Sequence, residues 1–134
     1  MSVVNMLPQG GTIKKLLWTN PSPSASFGAQ TVTLSESMYN FKRIRIVYKR
    51  TDVDAVDENL FSEWDIENGG ASYLVSGDEN SRIVIAMRGL SYSYCRLAYI
   101  SSSTKIAFEA CYRLNNSGGN GNLYCLPCKI YGVK

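Results

Sequence analysis

The sequence predicts an all-β fold: an antiparallel β-sandwich, jelly-roll-like, forming one domain with a short N-terminal arm. Three observations predict it. Apolar and polar residues alternate with period two through the longer segments, the pattern of a half-buried strand whose successive side chains point to opposite faces. No stretch of eleven or more residues holds a 3.6-residue period, so helix is limited to one short turn near residues 35–39 or 53–59. Clusters of Gly, Asn, Pro and Ser punctuate the runs, and short strands separated by turns build sandwiches or barrels. At 134 residues the chain matches one domain on a scale of about 100–200 residues each. The expected division is an arm over 1–11 and a sandwich over 12–134.

The elements follow in order. The arm is set off by Pro8-Gln9-Gly10-Gly11 and carries Val3, Val4, Met6 and Leu7, apolar side chains that invite packing on a neighbouring subunit. Strand candidates come next at 13–18 and 30–34, separated by the Asn20-Pro21-Ser22-Pro23-Ser24 bend. From Lys42 onward the alternation is clearest: Ile44, Ile46 and Tyr48 share one face, and Arg43, Arg45 and Lys49 take the other with Val47. A shorter run at 60–64 precedes a turn at Asn68-Gly69-Gly70, and another at 72–75 leads to a turn at Ser76-Gly77-Asp78. Ile83, Ile85 and Met87 mark the next strand. In 92–100, Cys95, Leu97 and Tyr99 oppose Tyr94, Ala98 and Ile100, so both faces are expected to be covered. Residues 105–114 read as one unbroken strand, with Ile106, Phe108, Ala110, Tyr112 and Leu114 on one face. A Gly/Asn-rich connection, 115–122, leads to the tail, where Tyr124, Leu126, Cys128 and Ile130 oppose Lys129 and Tyr131.

Composition removes several chemistries. The chain has no histidine, which excludes a Ser-His-Asp triad, a Cys-His dyad and any His-ligated metal site. No run of about 18 apolar residues exists, so no membrane partner is expected. A net charge of +3 is too mild to argue for nucleic acid, which is bound by clustered Lys and Arg. The opening residues hold no basic stretch ahead of an apolar run, so a leader for export is not expected and free thiols are the default.

Each remaining cluster has a functional and a bland reading. Cys125-Leu126-Pro127-Cys128 has C-x-x-C spacing, but it sits in a strand-like tail where residues three apart point to opposite faces. Cys95 and Cys111 are sixteen apart in separate apolar segments. Structural free cysteines are expected, with zinc and a disulfide as the alternatives. The acidic run Asp52, Asp54, Asp57, Glu58 lacks the glycine of an EF-hand loop and reads as a solvated loop. Glu63, Asp65, Glu67, Asp78 and Glu79 offer carboxylate pairs of the kind glycosidases use, as does any chain with eleven acids. Arg43, Arg45, Lys49 and Arg50 form a basic face that neighbours such as Asp52 and Glu109 can neutralise. No catalytic residue, metal ligand or cofactor is assigned. Nine tyrosines against four phenylalanines is the more telling feature. Tyrosine suits surfaces that are part wet and part packed, in protein interfaces and sugar platforms. Tyr92, Tyr94, Tyr99 and Tyr131 are the candidates for contact with a partner or a glycan.

Two passages carry a resemblance. One is Leu17-Trp18-Thr19-Asn20-Pro21-Ser22-Pro23, continuing through Ala25, Phe27 and Ala29-Gln30-Thr31-Val32-Thr33-Leu34. The other is Tyr124-Cys125-Leu126-Pro127-Cys128-Lys129-Ile130-Tyr131-Gly132-Val133-Lys134. Together they cover about a fifth of the chain and resemble minor structural and tail-associated proteins of tailed bacteriophages and prophages of gut Firmicutes. The resemblance implies a virion component on a β-sandwich, assembled in the host cytoplasm, and brings no catalytic residue with it.

The expected function is therefore a non-enzymatic structural subunit of a tail appendage or host-contact structure. Its partners would be other virion proteins and copies of itself, a trimer being favoured, with a host-surface glycan as a further ligand. A capsid decoration or head-fibre protein is the first alternative, and a host-glycan-binding module the second.

Overall fold

A computed structural model describes residues 13–53, 55–66, 83–88, 92–114 and 122–134. Its strands are β1 (Lys14–Thr19), β2 (Gln30–Thr33), β3 (Arg43–Lys49), β4 (Phe61–Asp65), β5 (Ile83–Arg88), β6 (Ser93–Ser102), β7 (Lys105–Phe108), β8 (Tyr112–Arg113) and β9 (Leu126–Val133). Among the described residues there is one 3₁₀ turn, Met38–Asn40, which starts where the Ser37 hydroxyl accepts the Tyr39 N–H at 3.2 Å. It falls at the first of the two positions expected for helix. The arm with Val3, Val4, Met6 and Leu7, the strand candidate at 72–75, and Asp54, Glu67, Asp78 and Glu79 lie outside the described residues.

Two antiparallel sheets pack face to face, so the chain is an all-β sandwich. The first sheet runs β1-β9-β3-β4. The second runs β2-β7-β6-β5, with β8 continuing β7's side of the long strand β6. Every pairing is antiparallel. The jelly-roll character lies in β9, which slots between β1 and β3.

Alternation builds the core. Ile44 and Ile46 of β3, Ile83 and Ile85 of β5, Ile100 of β6, Ile106 and Phe108 of β7, and Ile130 of β9 are buried between the sheets. Each such side chain contributes on the order of 1.5–3 kcal/mol when removed from water. Tyr48 also points inward, and its hydroxyl donates to the Ala86 carbonyl of the opposite sheet at 3.1 Å. Phe41 lies flat on Gly132, so close that a Cβ there would sit 2.4 Å from the ring. That glycine is present because the phenyl ring takes its side-chain space.

The two passages that carry the phage resemblance meet in space. β1 pairs with β9, and just beyond β1 the buried Asn20 clasps the opposite strand. Its N–H donates to the Cys128 carbonyl and its side-chain amide to the Pro127 carbonyl, both at 2.8 Å, while its Oδ1 accepts the Ser22 N–H. Phe27, from the same passage, packs edge-on against Trp18 and Phe108. These motifs specify a corner of the fold.

Three expectations need correction. Residues 105–114 are not one strand in one phase. Phe108 pairs with Ala98, but Tyr112 pairs with Cys95, so one extra residue is accommodated between them. This bulge turns Cys111 inward and leaves Tyr112 and Leu114 exposed, the reverse of the face first assigned. Lys49 is not on a polar face. It is only 3% exposed, with its ammonium turned onto the Arg50 and Val53 carbonyls. Cys125 and Cys128 do not take opposite faces. Cys125 precedes β9 with a positive φ of 49°, β9 slips register against β3 at Pro127–Cys128, and both thiols end up buried in the core.

Candidate functional site

The bulge between β7 and β8 faces Arg96, and this arginine organises the most unusual chemistry among the described residues. Arg96 is completely buried. Its Nε donates to the Cys125 carbonyl at 2.9 Å, Nη1 to the Glu109 carbonyl at 2.8 Å and Nη2 to the Tyr124 carbonyl at 3.3 Å. The guanidinium also stands 5.1 Å over the Phe27 ring. Burial holds its proton affinity below the ordinary arginine value, because a desolvated cation is disfavoured. A buried charge persists where its donors are satisfied. Here carbonyls of two segments, one leaving β7 and one entering β9, provide the acceptors.

The same junction gathers three cysteines. Cys111 and Cys125 are buried in the same core cluster. The neighbouring Cys125 thiol, reinforced by the nearby Arg96 charge, lowers the Cys111 thiol's pKa, while the Cys125 thiol is pushed strongly up. Cys95 lies next along β6, and burial raises its pKa. Cys128 is separate: its thiol donates to the Leu126 carbonyl, and burial pushes its pKa up to about 11. All four thiols are free. No group of three His, Cys, Asp or Glu among the described residues is arranged to hold a metal ion.

The candidate tyrosines are not brought onto one platform. Tyr94 is buried and stacks on Tyr124 with centroids 3.8 Å apart and planes 6° from parallel. Tyr131 is also buried, in the other sheet, with its hydroxyl donating to Glu58 Oε1 at 2.9 Å. Tyr99 is half-buried on β6. Tyr92 remains exposed, just ahead of β6, under the Arg113 guanidinium at 4.4 Å. The sequence reading missed Tyr112, which is 42% exposed. The bulge that turns it outward leaves no mark in composition.

The outer faces of the two sheets differ in kind. On the first sheet, Arg43 and Arg45 share Glu63, at 3.3 and 2.6 Å. Lys14 and Lys129 share Glu58, at 3.4 and 2.9 Å. Arg45 and Lys14 also cover the Phe61 and Tyr131 rings. The expected basic face is therefore neutralised, by Glu63 where Glu109 had been expected. Arg50 is held by Asp52, as anticipated. On the second sheet, Val84 pairs with Leu97, Ala86 with Cys95, Tyr99 with Ala107 and Cys95 with Tyr112. Paired residues share a face, and the inward set is already fixed by Ile83, Ile85, Ala98 and Ile100. The centre of this outer face is thus largely apolar, with Val84 and Tyr112 each more than 40% exposed and the Glu109 carboxylate near Cys95 and Tyr112.

No protein-family model matches the chain, and no curated protein does.

Proposed function

We propose that the chain is a non-enzymatic structural subunit of a tailed-bacteriophage virion, placed in a tail appendage or host-contact structure, and that it works by assembling with other subunits. The observation that carries the assembly reading is the charge-poor, tyrosine-bearing outer face of the β2-β7-β6-β5 sheet, with Val84 and Tyr112 exposed, beside an ion-paired outer face on the other sheet. Interface cores are depleted in charge and enriched in tyrosine relative to ordinary surface. Placement in a virion is supported by the likeness of the two end passages to phage tail-associated proteins. The apolar residues Val3, Val4, Met6 and Leu7 supply a second contact, an arm docked on a neighbour.

Size-exclusion chromatography with light scattering on the full chain and on a variant lacking residues 1–11 tests the proposal. The full chain is expected to self-associate, with a trimer as the favoured state, and the shortened chain to associate more weakly. Monomers in both cases at high concentration, together with no binding to any virion component, overturn it. Labelled particles then give the position: signal at the tail supports an appendage, and signal spread over the head replaces it with a decoration protein.

A further inference from the structure

We propose that Cys111 and Cys125 form an oxidisable dithiol that a small peroxide converts to a disulfide joining the β8 and β9 sides of the fold. The pairing is independent of any virion role. The sequence draws attention to Cys125 and Cys128, but the fold pairs Cys125 with a different cysteine. Arg96 clamps both segments at once, through the Glu109 carbonyl on one side and the Cys125 and Tyr124 carbonyls on the other. A second tie crosses the same gap, since the Cys111 N–H donates to Asn122 Oδ1 at 3.1 Å. The Cys125 N–H is turned to Met87 Sδ at 3.0 Å, and its positive φ sets the residue apart from the extended strand that follows. Both thiols are buried at this tied junction, in the same core cluster.

The roles of the two sulfurs differ. The neighbouring Cys125 thiol and Arg96 favour the thiolate at Cys111, and the thiolate is the nucleophile. Cys111 sulfur attacks one peroxide oxygen, the O–O bond breaks, and the products are a sulfenic acid and one water. Cys125 sulfur then attacks the Cys111 sulfur, the S–O bond breaks and a second water leaves with the Cys125 proton. Two thiols lose two electrons and two protons in total, and the peroxide is reduced. Cys111 is 2% exposed and Cys125 fully buried. A small neutral peroxide is therefore the fitting oxidant, and bulky disulfides are poor ones.

The test uses the reduced full chain, exposed to hydrogen peroxide, unfolded under alkylation and digested with trypsin. A Cys128→Ser background leaves one cysteine on each of the two peptides concerned. The expected result is a linked peptide, two hydrogens lighter than its parts, joining Cys111 to Cys125. A rise in melting temperature that a thiol reductant reverses should accompany it. Cys111→Ser and Cys125→Ser should each abolish the link, and Cys95→Ser should keep it. Both thiols recovered as alkylated cysteine, Cys111 over-oxidised without a link, or a link through Cys95 would each overturn the proposal.

Discussion

The two sheets of this sandwich place their charge in opposite ways. The β1-β9-β3-β4 sheet, the buried Lys49 apart, lays its charged groups on the outside, sharing Glu58 and Glu63 between four basic side chains. The β2-β7-β6-β5 sheet buries an arginine on its inner side and leaves the middle of its outside largely apolar, with Val84 and Tyr112 exposed. Exposed ion pairs are worth little, about 0.2–1 kcal/mol each, so the first arrangement serves solubility more than stability. A buried arginine on three carbonyls is a different kind of commitment. It determines which loops can approach, and it leaves the outer surface free for another use.

The largest expected effect comes from breaking the inner feature. Arg96→Met keeps the apolar stem but leaves the Cys125, Glu109 and Tyr124 carbonyls without their donor. Unsatisfied buried acceptors each forfeit about 1–3 kcal/mol, partly offset by relief from burying the guanidinium. A net loss of about 3 kcal/mol is expected in urea unfolding. A loss below half of that would mean that the loops hold themselves in place without the arginine.

A smaller effect belongs to the outer face of the other sheet. Burial works to raise the Glu58 carboxyl, but hydrogen bonds from Lys129 and Tyr131 outweigh it and hold its pKa below the ordinary value. A depressed carboxylate stabilises the fold above its unfolded pKa, and that contribution disappears as pH falls through the lower folded value. Stability should therefore decline with acidification below roughly pH 4. Glu58→Gln should flatten that decline, with a loss at neutral pH no larger than about 1 kcal/mol. Thermal melts of both proteins across this range check it.

The smallest stability effect should come from the outer face of the β2-β7-β6-β5 sheet. Val84→Lys is expected to change unfolding stability by no more than about 0.5 kcal/mol, as is usual for surface substitutions. The same change should disrupt self-association measured by light scattering. A variant that associates as before would place the contact surface elsewhere.

Much of the architecture could be read from the sequence, and the reasons for the gaps are local. Ile44-Arg45-Ile46 and Ile83-Val84-Ile85 declare their faces because each strand is regular and only one face is buried. The segment 105–114 misled because a single extra residue reverses every later side chain without altering the composition. Lys49 misled because a long side chain can bury its stem and return its ammonium to nearby carbonyls. The tyrosines could be listed but not sorted, since Tyr94 and Tyr92 differ only in what the fold sets beside them. Neither the Arg96 clamp nor the Cys111–Cys125 juxtaposition had a signal in the sequence. Each depends on segments brought together by the bulge and by the positive φ at Cys125.

The place of β9 bears on how the molecule comes to exist. Neither β1 nor β3 pairs with the other, and both wait for the same late segment of the chain. Until that segment emerges during synthesis, β1 lacks its sheet neighbour among the described strands and one edge of β3 lies unpaired. Pairings so distant in sequence close slowly, and the incomplete molecule is the form most exposed to clumping.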